Sequence, residues 1–271
     1  MKIFKQLFDF YLNSSIHVGM SCCALVSVTQ QLFGIPFDFS MFYFAFFGTI
    51  VGYNFVKYDS LARVKRLKMT LQLKRIAFLS FLSLLATGYY FFQLQFITKV
   101  VSILFLGLIV LYTLPFFPNK RNARNWAGVK IYIVALCWVG VTVVLPILDA
   151  GILITSDFYL KCVQRFILIF TLILIFEIID LQVDDPHLKT VPQQIGVKRT
   201  KQLGYLLLLL HCCLEIFNSN FNFKFFTLQL TLIFVTASFL FFVNEKRSQY
   251  YTLFWVESVP ILWWVLVMIF L

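Results

Sequence analysis

A helical membrane bundle is the fold class this sequence predicts, on three observations. Of 271 residues, 61% are hydrophobic and 13% charged, against roughly 45–50% and 25% in soluble domains, and the mean hydropathy is +0.86. The apolar residues fall in runs long enough to cross a bilayer as helices, about 20 residues each. They are too continuous for the alternating, shorter strands of an outer-membrane barrel. Finally, 19 of the 23 Lys and Arg lie in alternate connections, the asymmetry that orients a multi-span protein. The expectation is one all-α integral membrane domain over residues 1–271, with nine transmembrane helices.

The spans follow in order. Lys2 and Lys5 precede the first, 10–33. Asp9, Asn13, Ser14, Ser15 and His17 interrupt its start and no A-x-A site follows, so it reads as a retained span and not a removable signal. The second, 36–57, ends in a polar stretch from Asn54 to Asp59, and the loop at 58–75 is strongly basic. Spans 76–93 and 97–117 meet through a short connection, and Lys120, Arg121, Arg124 and Lys130 then surround the start of the fifth, 129–148. The sixth, 160–182, leads into a basic loop at 183–202, and spans 203–219, 225–243 and 250–271 complete the set. The opposite side carries only Lys99, Lys161 and Lys224. The positive-inside rule gives a plasma (inner) membrane protein with a cytoplasmic N-terminus and an external C-terminus. The long polar loops make the cytoplasmic face the working face. The net charge of +11 is this bias, so it points to the bilayer and to no nucleic-acid partner, and no soluble protein partner is evident.

Some polar groups inside spans read as packing. The six cysteines read as small buried hydrophobes, and His17 as a hydrogen-bonded packing residue. Arg165 is expected to snorkel to the outer interface, while His211 and Glu215, four apart, are expected to pair with each other. Glu257, beside Pro260, is a candidate for lining an interior space.

Asp180 and Asp184 are different. Their i, i+4 spacing puts both carboxylates on one helix face, with Glu177 on the same face. Ionisable groups at membrane depth cost about 2.5–3.5 kcal/mol each on insertion scales, and a function would explain their retention. Mg2+ takes hard oxygen ligands and completes its shell with water and substrate phosphates. Asp180, Asp184 and Asp185 are the candidate metal ligands.

The run from Asp180 through Asp184 to Thr190, Pro192 and Gly196 resembles the second aspartate-rich motif of the UbiA-type membrane prenyltransferases, a D-x-x-x-D pair followed by T-x-P-x-x-x-G. Leu111, Tyr112 and Pro115, followed by Lys120, Arg121 and Arg124, resemble that family's fourth-helix end and basic loop. The resemblance implies nine helices around a central cavity open to the cytoplasm. It also implies Mg2+-dependent transfer of a prenyl group from a prenyl diphosphate to a lipophilic acceptor, aromatic or a quinone precursor. Tyr112, Lys120, Arg121, Arg124, Lys189 and Lys198 become candidate substrate-binding residues, since positive charge stabilises a leaving diphosphate.

The family's first motif, N-D-x-x-D-x-x-x-D, is degenerate. Asn54 stands in its first place, but Phe55, Tyr58 and Ala62 occupy the aspartate places, and Asp59 is displaced by one position. Asn54 and Asp59 join Asp180 and Asp184 as candidate catalytic residues, with Lys57 and Arg63 supplying charge where a second metal would otherwise bind. The lost aspartates make a non-catalytic isoprenoid- or partner-binding protein the first rival. A small transporter, motivated by the ionisable groups within spans, is the second.

Overall fold

The computed structural model describes residues 2–65, 70–114, 128–219 and 221–271, with the side chains of residues 2 and 59–65 left out. Among the described residues there are helices and no strands. Eleven α-helices run α1 Lys2–Asn13, α2 Ile16–Leu32, α3 Phe39–Lys65, α4 Leu71–Gln93, α5 Phe96–Thr113, α6 Lys130–Val139, α7 Leu145–Asp149, α8 Ser156–Asp180, α9 Val191–Leu214, α10 Phe223–Phe242 and α11 Val259–Phe270. Among the described residues, eight helical segments are long and apolar enough to cross a membrane, or nine when α1 and α2, bent by 54°, count as one span. This is a multi-pass membrane protein.

The helices begin earlier at the basic end than the charge pattern suggests. The expected loop at 183–202 is helical from Val191 onward. Pro192 sits in the first turn, where its missing N–H costs nothing, and the Gln193 side chain accepts from the Thr190 N–H at 2.9 Å. Gly196 then breaks α9 with φ +78 and ψ 158, a region that essentially only glycine occupies. Gly196→Ala is expected to destabilise the protein by about 1–3 kcal/mol, the usual cost of such backbone strain, read as a lowered thermal midpoint in detergent. An unchanged midpoint would mean that α9 straightens at no cost.

Two spans are locally underwound into π-helix. Residues Gly140–Val144 join α6 to α7, and Tyr251–Val256 lead into α11. Pro146 lacks the N–H that would bond the Thr142 carbonyl four residues back, and Thr29 of α2 donates to that carbonyl instead, at 2.6 Å. Gly140 lets α5 approach closely, because a Cβ there would lie 2.2 Å from the Phe105 ring, which would have to shift.

α2 and α8 form the interior. Leu25, Val26 and Val28 of α2, with Leu174, Ile175 and Ile178 of α8, are completely enclosed. α8 packs against α6 and α9, and α2 against α3 and α11. Many of the remaining large apolar side chains, such as Phe78, Phe92, Leu104 and Phe234, point outward, as expected where lipid is the solvent.

Candidate functional site

α8 carries its polar end to the basic side of the bundle. The Asp180 carbonyl accepts from the N–H groups of Val183 at 2.9 Å and Asp184 at 2.8 Å, so one more turn follows the helix and sets Asp184 over Asp180. The two carboxylates act on each other electrostatically, and Glu177 feels both. The Lys130 ammonium lies 4.0 Å from Asp184 Oδ2. That oxygen is buried and has no hydrogen-bond partner.

The other carboxylates near it are already committed. Glu177 Oε2 accepts from the Val191 N–H at 3.0 Å, which satisfies one of the free donors at the start of α9. Asp185 Oδ1 accepts from the His187 N–H at 2.9 Å and so caps the short turn Pro186–Leu188, largely exposed. Of the three expected metal ligands, Asp180 and Asp184 lie one turn apart while Asp185 serves the turn Pro186–Leu188. Gly128, at φ +72, donates its N–H to the Leu188 carbonyl at 3.1 Å. That bond ties the start of α6 to this loop and brings Lys130 to Asp184.

Sequence reasoning missed the role of Lys130. It counted as one more positive-inside charge, because nothing local in the chain links it to a carboxylate 54 residues later.

Asn54 has its own partners. It is buried, accepts from Ser15 Oγ at 2.9 Å, and donates to the Ser14 carbonyl at 3.0 Å and to Ser80 Oγ at 2.9 Å. Its amide brackets the α1–α2 bend, α3 and α4 together. Lys57 donates to the Asn13 side-chain oxygen at 3.2 Å and Tyr58 to the Asn13 carbonyl at 2.8 Å, so the end of α3 is pinned to the same bend. Among the described residues, no hydrogen bond or ion pair joins Asn54 to Asp180 or Asp184. Tyr112 is buried near the end of α5. Lys189, at φ 46, and Lys198 are exposed on the basic side of the bundle. The side chains of Asp59 and Arg63, and all of Lys120, Arg121 and Arg124, lie outside the described residues.

Two expectations about intramembrane charges are corrected. Arg165 does not snorkel. It is 4% exposed and donates to the Leu25 carbonyl at 3.3 Å, Thr142 Oγ1 at 3.2 Å and Thr29 Oγ1 at 3.3 Å, with its guanidinium 5.2 Å from the Trp263 ring centre. The two threonine hydroxyls and the ring give it a polar niche that the lipid interface would otherwise supply. Glu215 does not pair with His211: Lys161 reaches it at 2.6 Å and Gln164 and Gln229 at 2.9 Å each. His211 is buried with both ring nitrogens unbonded. His17 is satisfied as expected, by Tyr11 at 2.7 Å and the Phe254 carbonyl at 3.0 Å, and all six cysteines are free thiols.

The Asp180–Asp184 pair passes the test for a hard cation. It offers carboxylate oxygens, mutually repelling and one of them buried without a hydrogen bond, which is the donor set Mg2+ uses when phosphates complete its shell. Among the described residues, no group of three or more His, Cys, Asp or Glu side chains forms a ready metal cage. The pair therefore suits a metal that arrives with its ligand.

No protein-family model matches this chain, and no curated protein does. Solved structures do match. A UbiA homolog from Archaeoglobus fulgidus bound to GPP and Mg2+ aligns with a TM-score of 0.66 at 14% identity, over 96% of this chain and 98% of that one. The same coverage holds for the UbiA homolog bound to DMAPP and Mg2+ (TM-score 0.63, 13% identity) and bound to Cd2+ (TM-score 0.63, 12% identity). Over nearly its whole length, the chain adopts the UbiA-type membrane fold.

Proposed function

We propose that this protein is a membrane prenyltransferase that moves the prenyl group of a prenyl diphosphate to a lipophilic, aromatic or quinone-precursor acceptor. The observation that carries the reading is the buried Asp184 Oδ2, which makes no hydrogen bond and is met only by Lys130 at 4.0 Å, one turn from Asp180, in a fold whose matched relatives are bound to GPP or DMAPP with Mg2+. Asp180 and Asp184 would hold the metal, which when bound neutralises charge building on the leaving diphosphate. Lys130, Lys189 and Lys198, with Lys120, Arg121 and Arg124, would meet the phosphate oxygens. Tyr112 would line the same mouth. Asp59, Lys57 and Arg63 would add what remains of the first motif, with Asn54 holding that helix end in place. The donor would enter from the cytoplasm, with the N-terminus on that side, and the acceptor from the bilayer.

The test is binding of radiolabelled geranyl diphosphate to the detergent-solubilised protein. Binding is expected with Mg2+ and at least about 100-fold weaker with EDTA, since phosphate and metal occupy the site together. Absence of binding, or binding indifferent to metal, would overturn the reading. The degenerate first motif and the commitment of Asn54 to a bracket support a second reading, an isoprenoid-binding protein that does not ionise its ligand. That protein would bind the diphosphate and release no pyrophosphate.

A further inference from the structure

α1 separates its apolar and polar residues more sharply than α2, α3 and α4 do. At the helical period, Ile3, Phe4, Leu7 and Phe8 fall on one stripe, and Lys2, Lys5, Gln6 and Asp9 fall on the other side. A two-faced helix with lysines on its polar side is the pattern of a segment that lies at a membrane surface. Ile3, Phe4 and Leu7 are 71%, 79% and 61% exposed. The first two turns therefore present their apolar stripe outward and not to the bundle.

The geometry sets α1 apart from the span that follows. α2 holds 17 residues, about 25 Å of helix and within the range that crosses a bilayer, so the crossing does not need α1. The two axes differ by 54°. That bend is held in place: Ser15 has φ +61, a left-handed backbone uncommon outside glycine, and its hydroxyl donates to Asn54 of α3 at 2.9 Å. The second half of α1 is pinned too. Tyr250 donates to the Asp9 carboxylate, the Phe8 ring lies 5.2 Å from that of Phe254, and Tyr58 donates to the Asn13 carbonyl at 2.8 Å. These ties fix α1 at the basic side of the bundle and leave Ile3, Phe4 and Leu7 outside it.

Charge says what covers them. Lys2 and Lys5 stand on the polar face, and the first turn holds no acidic residue. Lys246 and Arg247 are exposed in the connection that leads to Tyr250, on the same side. Positive charge around an apolar stripe complements a leaflet with anionic headgroups.

We propose that α1 is a surface anchor: it inserts Ile3, Phe4 and Leu7 into the leaflet on the basic side and binds anionic headgroups through Lys2 and Lys5. The bend at Ser15 marks where the chain turns from the interface into the hydrocarbon. This inference is independent of the prenyltransferase reading.

Cysteine accessibility in the full chain, reconstituted in lipid nanodiscs, tests it. The six native cysteines lie within α2, α6, α8 and α9, and the unaltered protein supplies the background. In nanodiscs of phosphatidylcholine with phosphatidylglycerol, Gln6→Cys is expected to react readily with a charged, water-soluble maleimide. Leu7→Cys is expected to react at least about 10-fold more slowly, as for a face sunk to the acyl boundary. Adding Lys5→Gln is expected to raise the Leu7→Cys rate about fivefold, the worth of one lysine at an anionic surface. Phosphatidylcholine alone is expected to raise it further. Equal rates at the two positions would overturn the proposal: if fast, α1 stands in water, and if slow, it is buried as part of the span. Slow labelling of Leu7→Cys whatever the lipid charge would assign the stripe to a protein partner or a second copy, and would overturn the anionic anchor as well.

Discussion

Asp184→Ala is expected to weaken Mg2+-dependent binding of geranyl diphosphate at least about 100-fold, since even indirect contacts to a metal are worth 10–100-fold. The same substitution is expected to leave the thermal midpoint in detergent unchanged or slightly raised. Asp184 opposes Asp180 electrostatically, its Oδ2 makes no hydrogen bond, and the Lys130 ammonium is a distant 4.0 Å away. Deleting the carboxylate thus removes repulsion and little else. A structural residue would behave in the opposite way, losing stability and keeping affinity. If Asp184→Ala unfolds the protein, or binds the diphosphate as well as before, the pair is not a metal seat.

Glu215→Ala is expected to cost about 3–5 kcal/mol of stability, because it strands a buried ammonium without its counter-charge. Glu215 is fully enclosed, and Lys161, Gln164 and Gln229 all donate to Oε2 while Asn218 donates to Oε1 at 2.8 Å. Four donors converge on one side chain, from α8, α10 and the α9–α10 connection. The double substitution Lys161→Met with Glu215→Leu is expected to recover most of the loss, since a buried pair exchanged for apolar residues of similar size is often neutral. A thermal midpoint in detergent reads both. A neutral Glu215→Ala would show that water reaches the pair.

The Asp180 and Glu215 sites were legible to different degrees, for a physical reason. Asp180 and Asp184 are neighbours along one helix, so a spacing of four residues is enough to bring their carboxylates together. Glu215 and His211 have the same spacing, yet Glu215 turns to Lys161 and two glutamines on other helices. Spacing shows which groups share a face; it does not show what that face meets. A helix end at the rim of the bundle meets few other elements, whereas a buried face has every helix packed against it.

Arg165 and Asn54 teach the same point. A long cationic stem near the end of a span has an evident route to the interface, and the chain alone holds no sign of Thr29, Thr142 and Trp263 waiting 136, 23 and 98 residues away. Asn54 stood in a motif position, and the bend between α1 and α2 claimed its amide.

Hydropathy and run length alone determined that the chain is a helical membrane bundle, because a bilayer admits few ways to satisfy a backbone. The same local rules brought Asp180 and Asp184 onto one face. Only the tertiary structure decided that Lys130 stands beside them and that Glu177 is spent on capping α9. Those outcomes depend on which helices touch, and apolar surfaces that look alike to lipid carry no record of their partners in the order of residues.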